Sequence, residues 1–254
     1  MAFDVNNIRA IVFDYGNTII PFGREALDAY DQELAAGLRA RFGAFDEARF
    51  QSFRMESRLA PYAGDPPSYR ENDFASITVG LIRALYGITP EDEVLAELLA
   101  LRLKAFVDVV SVEPDVDALL GRLGERYALG LLSNYPDGEA IRMSLETTGL
   151  ARHFDAVVIS GEEGYVKPHP VVFEKMVECL AVAPPEVLFV GDNWLADVQG
   201  AKRAGMRAAH MRRWAPPEVF EAGPEDFLPD FEIADLSELE AVLETPCVAE
   251  GERI

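Results

Sequence analysis

Short apolar runs, each closed by polar or turn-forming residues, punctuate most of this chain. They are Ile8 to Phe13, Tyr127 to Leu132, Ala156 to Ile159, Val187 to Val190 and Arg207 to Met211, with a last run from Phe231 to Ala234. Strands covered on both faces read as continuous apolar runs rather than as alternating ones. Between the later runs lie stretches of helical character: Gly138 to Thr148, Pro170 to Leu180 and Leu195 to Ala204. Strand and helix in alternation predict an α/β fold, a doubly wound parallel sheet of Rossmann-like form. The last run adds an edge strand before a closing helix, Ser237 to Leu243.

From Phe22 to Val110 that rhythm stops, and no good strand is present. Leu27, Tyr30, Leu34, Leu38 and Phe42 recur at helical spacing, as do Phe74, Ile77, Leu81 and Leu85, and then Leu95, Leu98, Leu103 and Phe106. A further helix is expected from Asp46 to Leu59, and the turn-rich stretch from Pro61 to Pro67 separates the two pairs. The pattern predicts a four-helix module over residues 21–110, inserted into a core of residues 1–20 and 111–254.

Charge narrows the partners. A formal net charge of −21 over 254 residues repels nucleic acid and anionic lipid. No apolar run nears the roughly 20 residues of a membrane helix, and the N-terminus lacks a basic leader with a cleavage site. Cys179 and Cys247 have neither metal-ligand spacing nor the number for a disulfide framework, so a reduced, cytoplasmic protein is expected.

Four polar clusters fall at or beyond the C-terminal ends of predicted strands, where open α/β sheets bind ligands. They are Asp14 to Thr18, Ser133-Asn134, Lys167-Pro168, and Gly191-Asp192 with Asp197 five residues on. Singly, each reads as a helix cap, a turn pair or a solvated lysine. Together, three carboxylates converging on one sheet edge repel each other in a low-dielectric cleft. One lysine and a divalent cation relieve that repulsion, and Mg²⁺ favours carboxylates, carbonyls and water. Phosphoryl transfer needs little besides positioning and such positive charge.

The order and context of these clusters resemble the four motifs of the haloacid dehalogenase superfamily. The stretch FDAVVISGEEGYVKPHPVVFEKM and the later VLFVGDNWLADVQGAKRAGM resemble its phosphatase-like subfamilies with a helical cap. The likeness covers the N-terminal strand and the chain from Pro114 to Leu243; residues 21–110 match a cap in place and helical character only. It implies a Mg²⁺-dependent phosphohydrolase acting on a small phosphorylated metabolite, with Asp14 attacking phosphorus to form an aspartyl-phosphate. Thr18 and Ser133, with Asn134 beside them, would orient Asp14 and bind phosphate; Lys167 would hold the negative charges together. Asp14, Asp192 and the main-chain carbonyl of Gly16 would ligate Mg²⁺, with Asp197 acting behind them on the metal's water or on Lys167.

One position departs from the family pattern. The second residue after the nucleophile is usually an aspartate that protonates the leaving group and later activates water. Here it is Gly16, followed by Asn17 where glycine is usual. Glycine keeps a carbonyl for the metal but has no proton to give, so slow turnover or dependence on good leaving groups follows. Two alternatives stay open: a catalytically weak phosphate-binding or regulatory protein, and a metal-independent 2-haloacid dehalogenase, which Ser133-Asn134 also fits. Phosphonate cleavage would need a Schiff-base lysine in the inserted module, where Lys104 is the only lysine. Arg58, Tyr62, Tyr69 and Arg70 flank the central loop of that module, where substrate-selecting side chains of the family often sit. His169 reads as loop, His210 as core, and Trp194 as a cleft or packing residue.

Overall fold

The computed structural model describes residues 5–214 and 226–244; the tail after Thr245, with Cys247, lies outside them. Six strands, β1 (Ala10–Phe13), β2 (Ala128–Ser133), β3 (Ala156–Ile159), β4 (Val187–Gly191), β5 (Arg207–Met211) and β6 (Phe231–Ile233), form one sheet. Its order is β3-β2-β1-β4-β5-β6, and every pairing is parallel. This is the doubly wound sheet that the runs of buried residues predict.

Parallel pairing requires crossovers, and helices supply them on both faces. Side chains alternate along each strand, which divides the core in two. Ile11, Phe13, Leu129, Leu131, Leu188 and Val190 face one cluster, while Ala10, Val12, Leu132, Val187 and Phe189 face the other. Between β1 and β2 run α1 (Arg24–Phe42), α2 (Glu47–Leu59), α3 (Phe74–Tyr86) and α4 (Asp92–Val109). They pack on one another, α1 on α4, α2 on α3 and α3 on α4. The buried face of α4 is Leu98, Arg102, Ala105 and Phe106, so an arginine stands on its apolar stripe while Leu95 and Leu103 are only half-buried.

A helix beyond those expected, α5 (Pro114–Gly124), leads into β2. Pro114 opens it, where a missing N–H costs nothing, and Val116, Leu119, Leu120 and Leu123 line its buried side. The remaining helices are α6 (Gly138–Thr148), the short α7 (Ser160–Glu163), α8 (Pro170–Leu180), α9 (Gly200–Arg203) and α10 (Leu239–Glu244). Two expected helices are corrected. The segment expected as one helix from Leu195 winds instead as a π-helix over Trp194–Gln199 before tightening into α9. Asn193 accounts for the wider turn: its carbonyl accepts from Val198 N, and its side chain accepts from Ala196 N. The closing helix begins as a 3₁₀ turn, Leu236–Glu238, capped by Asp235.

Candidate active site

β1 and β4 are neighbours, yet the chain leaves β1 toward β2 on one side and later returns to β4 on the other. That reversal opens a crevice at the strand C-termini, and the sequence-predicted side chains meet there. Asp14 follows β1, Ser133 ends β2, Lys167 lies in the loop after α7, and Asp192 follows β4. Tyr15 anchors the first loop by turning into the core, its hydroxyl 2.8 Å from Ser144 Oγ. Asp14 is left at the crevice floor.

Lys167 is the centre of the cluster. It is buried, and its Nζ lies 2.6 Å from Asp14 Oδ1, 2.7 Å from Asp197 Oδ1 and 2.9 Å from the Leu132 carbonyl. Asp197 Oδ1 is buried, and the Lys167 ammonium is its ion-pair partner. Asp197 Oδ2 accepts from Asn193 N at 2.9 Å. Gly191 makes this approach possible, because a Cβ there would lie 2.4 Å from Asp197 Cγ. Thr18, also buried, donates from Oγ1 to Asp14 Oδ2 at 3.2 Å.

Ser133 is buried, and among the described residues its hydroxyl makes no hydrogen bond to protein. The side chain of Asn134 is not free to do the same. Its Oδ1 accepts from Lys167 N at 2.7 Å, and its Nδ2 donates to the Lys167 carbonyl and to Tyr62 Oη at 3.1 and 3.0 Å. Asn134 therefore clamps the lysine loop while also lining the neighbouring cavity. His210 holds Asp192 from below, Nε2 lying 3.0 Å from the Asp192 carbonyl; His169 caps α8 and stacks on Tyr165. Trp194 packs edge-on against His210.

Carboxylate oxygens of Asp14, Asp192 and Asp197 lie within 4.8 Å of one another. Fully ionised, three carboxylates and one ammonium leave the cluster at −2, the charge that a divalent cation cancels. Burial, only partly offset by Lys167, pushes the Asp14 carboxyl up to about 6. Burial and then the neighbouring Asp14 and Asp197 push Asp192 to about 8. Burial by itself would lower Lys167, but Asp14 and Asp197 outweigh it and hold the ammonium above its ordinary range. The cluster is short of positive charge. That shortage fits a hard divalent ion bound through oxygen.

The haloacid dehalogenase-like hydrolase family model matches residues 8–205. The chain belongs to that family. Phosphoserine phosphatase of Thermus thermophilus is 42% identical over 128 residues, which are 50% of this chain and 49% of that one. Glyceraldehyde 3-phosphate phosphatase of Methanopyrus kandleri is 28% identical over 89% of this chain and 93% of its own length. N-acylneuraminate-9-phosphatase of the rat is 25% identical over 95% of this chain and 96% of its own. A phosphatase structure from Thermococcus onnurineus superposes with a TM-score of 0.67 at 25% identity, covering 95% of this chain and 100% of that one. A 2-haloacid dehalogenase from Pseudomonas syringae superposes at 0.71 with 22% identity over 93% and 98%, a likeness of fold alone. This chain is thus an enzyme of the hydrolase class, and no described helix is long and apolar enough to cross a membrane.

Sequence reading left several residues at the site's rim unassigned. Phe22 stands over Gly16, and Asn17 Oδ1 accepts from Phe22 N at 3.1 Å. Glu71 accepts from Ser160 Oγ at 2.5 Å and from Asn72 N at 2.7 Å. Of the signals in the sequence, the arginine on the apolar stripe of α4 was the one that could have been read.

Proposed function

We propose that this hydrolase is a Mg²⁺-dependent phosphomonoesterase that cleaves small phosphorylated metabolites through a phosphoryl group carried on Asp14. The observation that carries the reading is Lys167, buried between Asp14 and Asp197 in a cluster of net charge −2. The three curated relatives described above are phosphatases, two of them matching along nearly their whole length. Their three substrates differ, so the substrate is not carried over from any one of them.

Asp14, Asp192 and the Gly16 carbonyl are the groups that would hold Mg²⁺, with Asp197 behind them. The ion would supply positive charge to the phosphoryl oxygens and to the acidic cluster. Asp14 Oδ attacks phosphorus as the ester P–O bond breaks, and the leaving oxygen departs with that electron pair. Lys167 stays protonated and balances the charge that gathers on Asp14 and the phosphoryl oxygens. Ser133 Oγ, with backbone N–H groups near Asn134, holds one of those oxygens, and Thr18 keeps the Asp14 carboxylate oriented. Water then attacks the same phosphorus, releasing phosphate and restoring Asp14. Residue 16 offers no proton in either half, so the leaving oxygen takes one from water or from the substrate itself. The helices of residues 21–110 act as a cap: Tyr62 reaches the Lys167 loop, and residue 70 bridges to residue 165.

A second reading, a phosphate-binding protein with little turnover, rests on Gly16. One screen separates the readings: phosphate release from a panel of small phosphomonoesters with and without Mg²⁺, beside chloride release from 2-chloropropionate. Mg²⁺-dependent phosphate release is expected. Phosphate binding without release would favour the second reading, and metal-free chloride release would overturn both.

A further inference from the structure

Between the α1–α4 helices and the sheet lies a cavity of about 240 Å³. It adjoins the cluster just described: Phe22 covers Gly16, Tyr62 and Asn134 bind the Lys167 backbone, and Val166 precedes Lys167. Its volume falls below the roughly 300–1,000 Å³ of sites for drug-sized ligands, so it suits the alcohol part of a small ester.

Its wall carries a charge that no described carboxylate contacts. Arg102 is 3% exposed, and its described polar partners are neutral. Nε donates to Tyr30 Oη at 3.2 Å, Nη1 donates to Thr78 Oγ1 at 2.6 Å, and the guanidinium lies 3.9 Å from the Phe74 ring centre. Among the described residues, no carboxylate comes within 4.0 Å of it; Asp137 feels its charge only through space. Beside it, Arg54 and Arg58 share a single carboxylate, Asp31, at 2.8 and 3.6 Å. Glu71, the acid on the wall, is occupied by Ser160 and Asn72. Three guanidiniums and one carboxylate therefore line the cavity, with Asp31 behind two of the three, in a chain whose net charge is −21. A buried guanidinium without a counter-charge is costly to fold, and an anionic ligand group at the cavity removes that cost.

We propose that this cavity selects phosphomonoesters whose alcohol part bears a carboxylate, received by Arg102 with help from Arg54 and Arg58. This inference rests on the phosphatase reading, but binding without turnover tests it separately. In the Asp14→Asn protein with Mg²⁺, calorimetry compares 3-phosphoglycerate with glycerol 3-phosphate, near-isosteres that differ by a carboxylate. The overall negative field of the chain disfavours the more anionic ligand, so a preference for it reports the cavity. A preference of about 10–100-fold for 3-phosphoglycerate is expected, the worth of one charge-assisted hydrogen bond or a close pair of them. Adding Arg102→Met should abolish the preference without lowering the melting temperature, since it removes an unpaired buried charge. Adding Arg102→Lys should keep part of it. Equal binding of the two esters to Asp14→Asn overturns the proposal, as does a lowered melting temperature in Arg102→Met with the preference intact. Failure of the wild type to release phosphate from any ester, with the binding preference present, removes the phosphatase reading and leaves the carboxylate site standing.

Discussion

The double replacement Gly16→Asp with Asn17→Gly should give this site the proton donor that its first loop lacks. Gly16 is not in the left-handed region, and a Cβ built on it would lie 3.4 Å from Phe22 Cβ, an ordinary contact. The backbone therefore accepts a side chain at residue 16, and the Phe22 ring decides where its carboxyl can reach. Asn17 is the strained member of the pair, at φ 58°. Glycine there relieves roughly 1 kcal/mol of left-handed strain. It also removes the hydrogen bond from Phe22 N, worth roughly 0.5–1.5 kcal/mol. These nearly cancel, so stability should change by less than about 1 kcal/mol. A general acid is worth about 10²–10⁴-fold when the leaving group is a poor one. Wild-type protein should accordingly cleave p-nitrophenyl phosphate far faster than ethyl phosphate under Mg²⁺, read as kcat/KM from phosphate release. The double variant should narrow that gap by raising the ethyl phosphate rate at least about 10-fold while leaving the aryl rate nearly unchanged. A wild type with a flat leaving-group dependence would refute the reasoning, since another group would already be donating the proton. So would a variant in which both rates rise in parallel.

Asp14→Asn should stay folded and lose turnover; more than about a tenth of the wild-type rate, with contamination excluded, would end the covalent route. Lys167→Met should cost about 3–5 kcal/mol in urea unfolding, because Asp14 and Asp197 are left facing each other, and adding Asp197→Asn should recover part of it. The Asp14 and Asp192 carboxyls, raised to about 6 and about 8 from the ordinary 3.8, make the folded metal-free protein hold protons that the unfolded chain has released. Their contribution to stability is therefore fullest below about pH 4 and is lost as pH rises toward 8. Mg²⁺ replaces that positive charge, so the rise in melting temperature on adding it should be larger near pH 8.5 than near pH 5, and a pH-independent rise would count against the site.

The sequence by itself determined the layering of this protein. Strands buried on both faces must be apolar throughout, so β1 to β5 stand out as runs, and polar residues just past those runs can only lie at the sheet's C-terminal edge. That is why Asp14, Ser133 and Asp192 are legible in the sequence, whereas Lys167 lies further on, in the loop after α7. The α5 helix carries its own signal in the sequence, with Pro114 at its start and Val116, Leu119, Leu120 and Leu123 on one side. Tertiary structure decided what depends on contacts between segments far apart in the chain. Asn134 becomes a clamp because the Lys167 loop, 33 residues on, brings its backbone against that side chain. Gly191 is required because the π-helical turn drives Asp197 beneath it. Arg102 is half legible: its place on an apolar stripe can be read from spacing. Its lack of a counter-charge cannot, because that depends on which side chains from α1, α3 and the β2 loop close around it. Local pattern reports which face of an element is buried, and only the packed chain reports what each buried charge meets there.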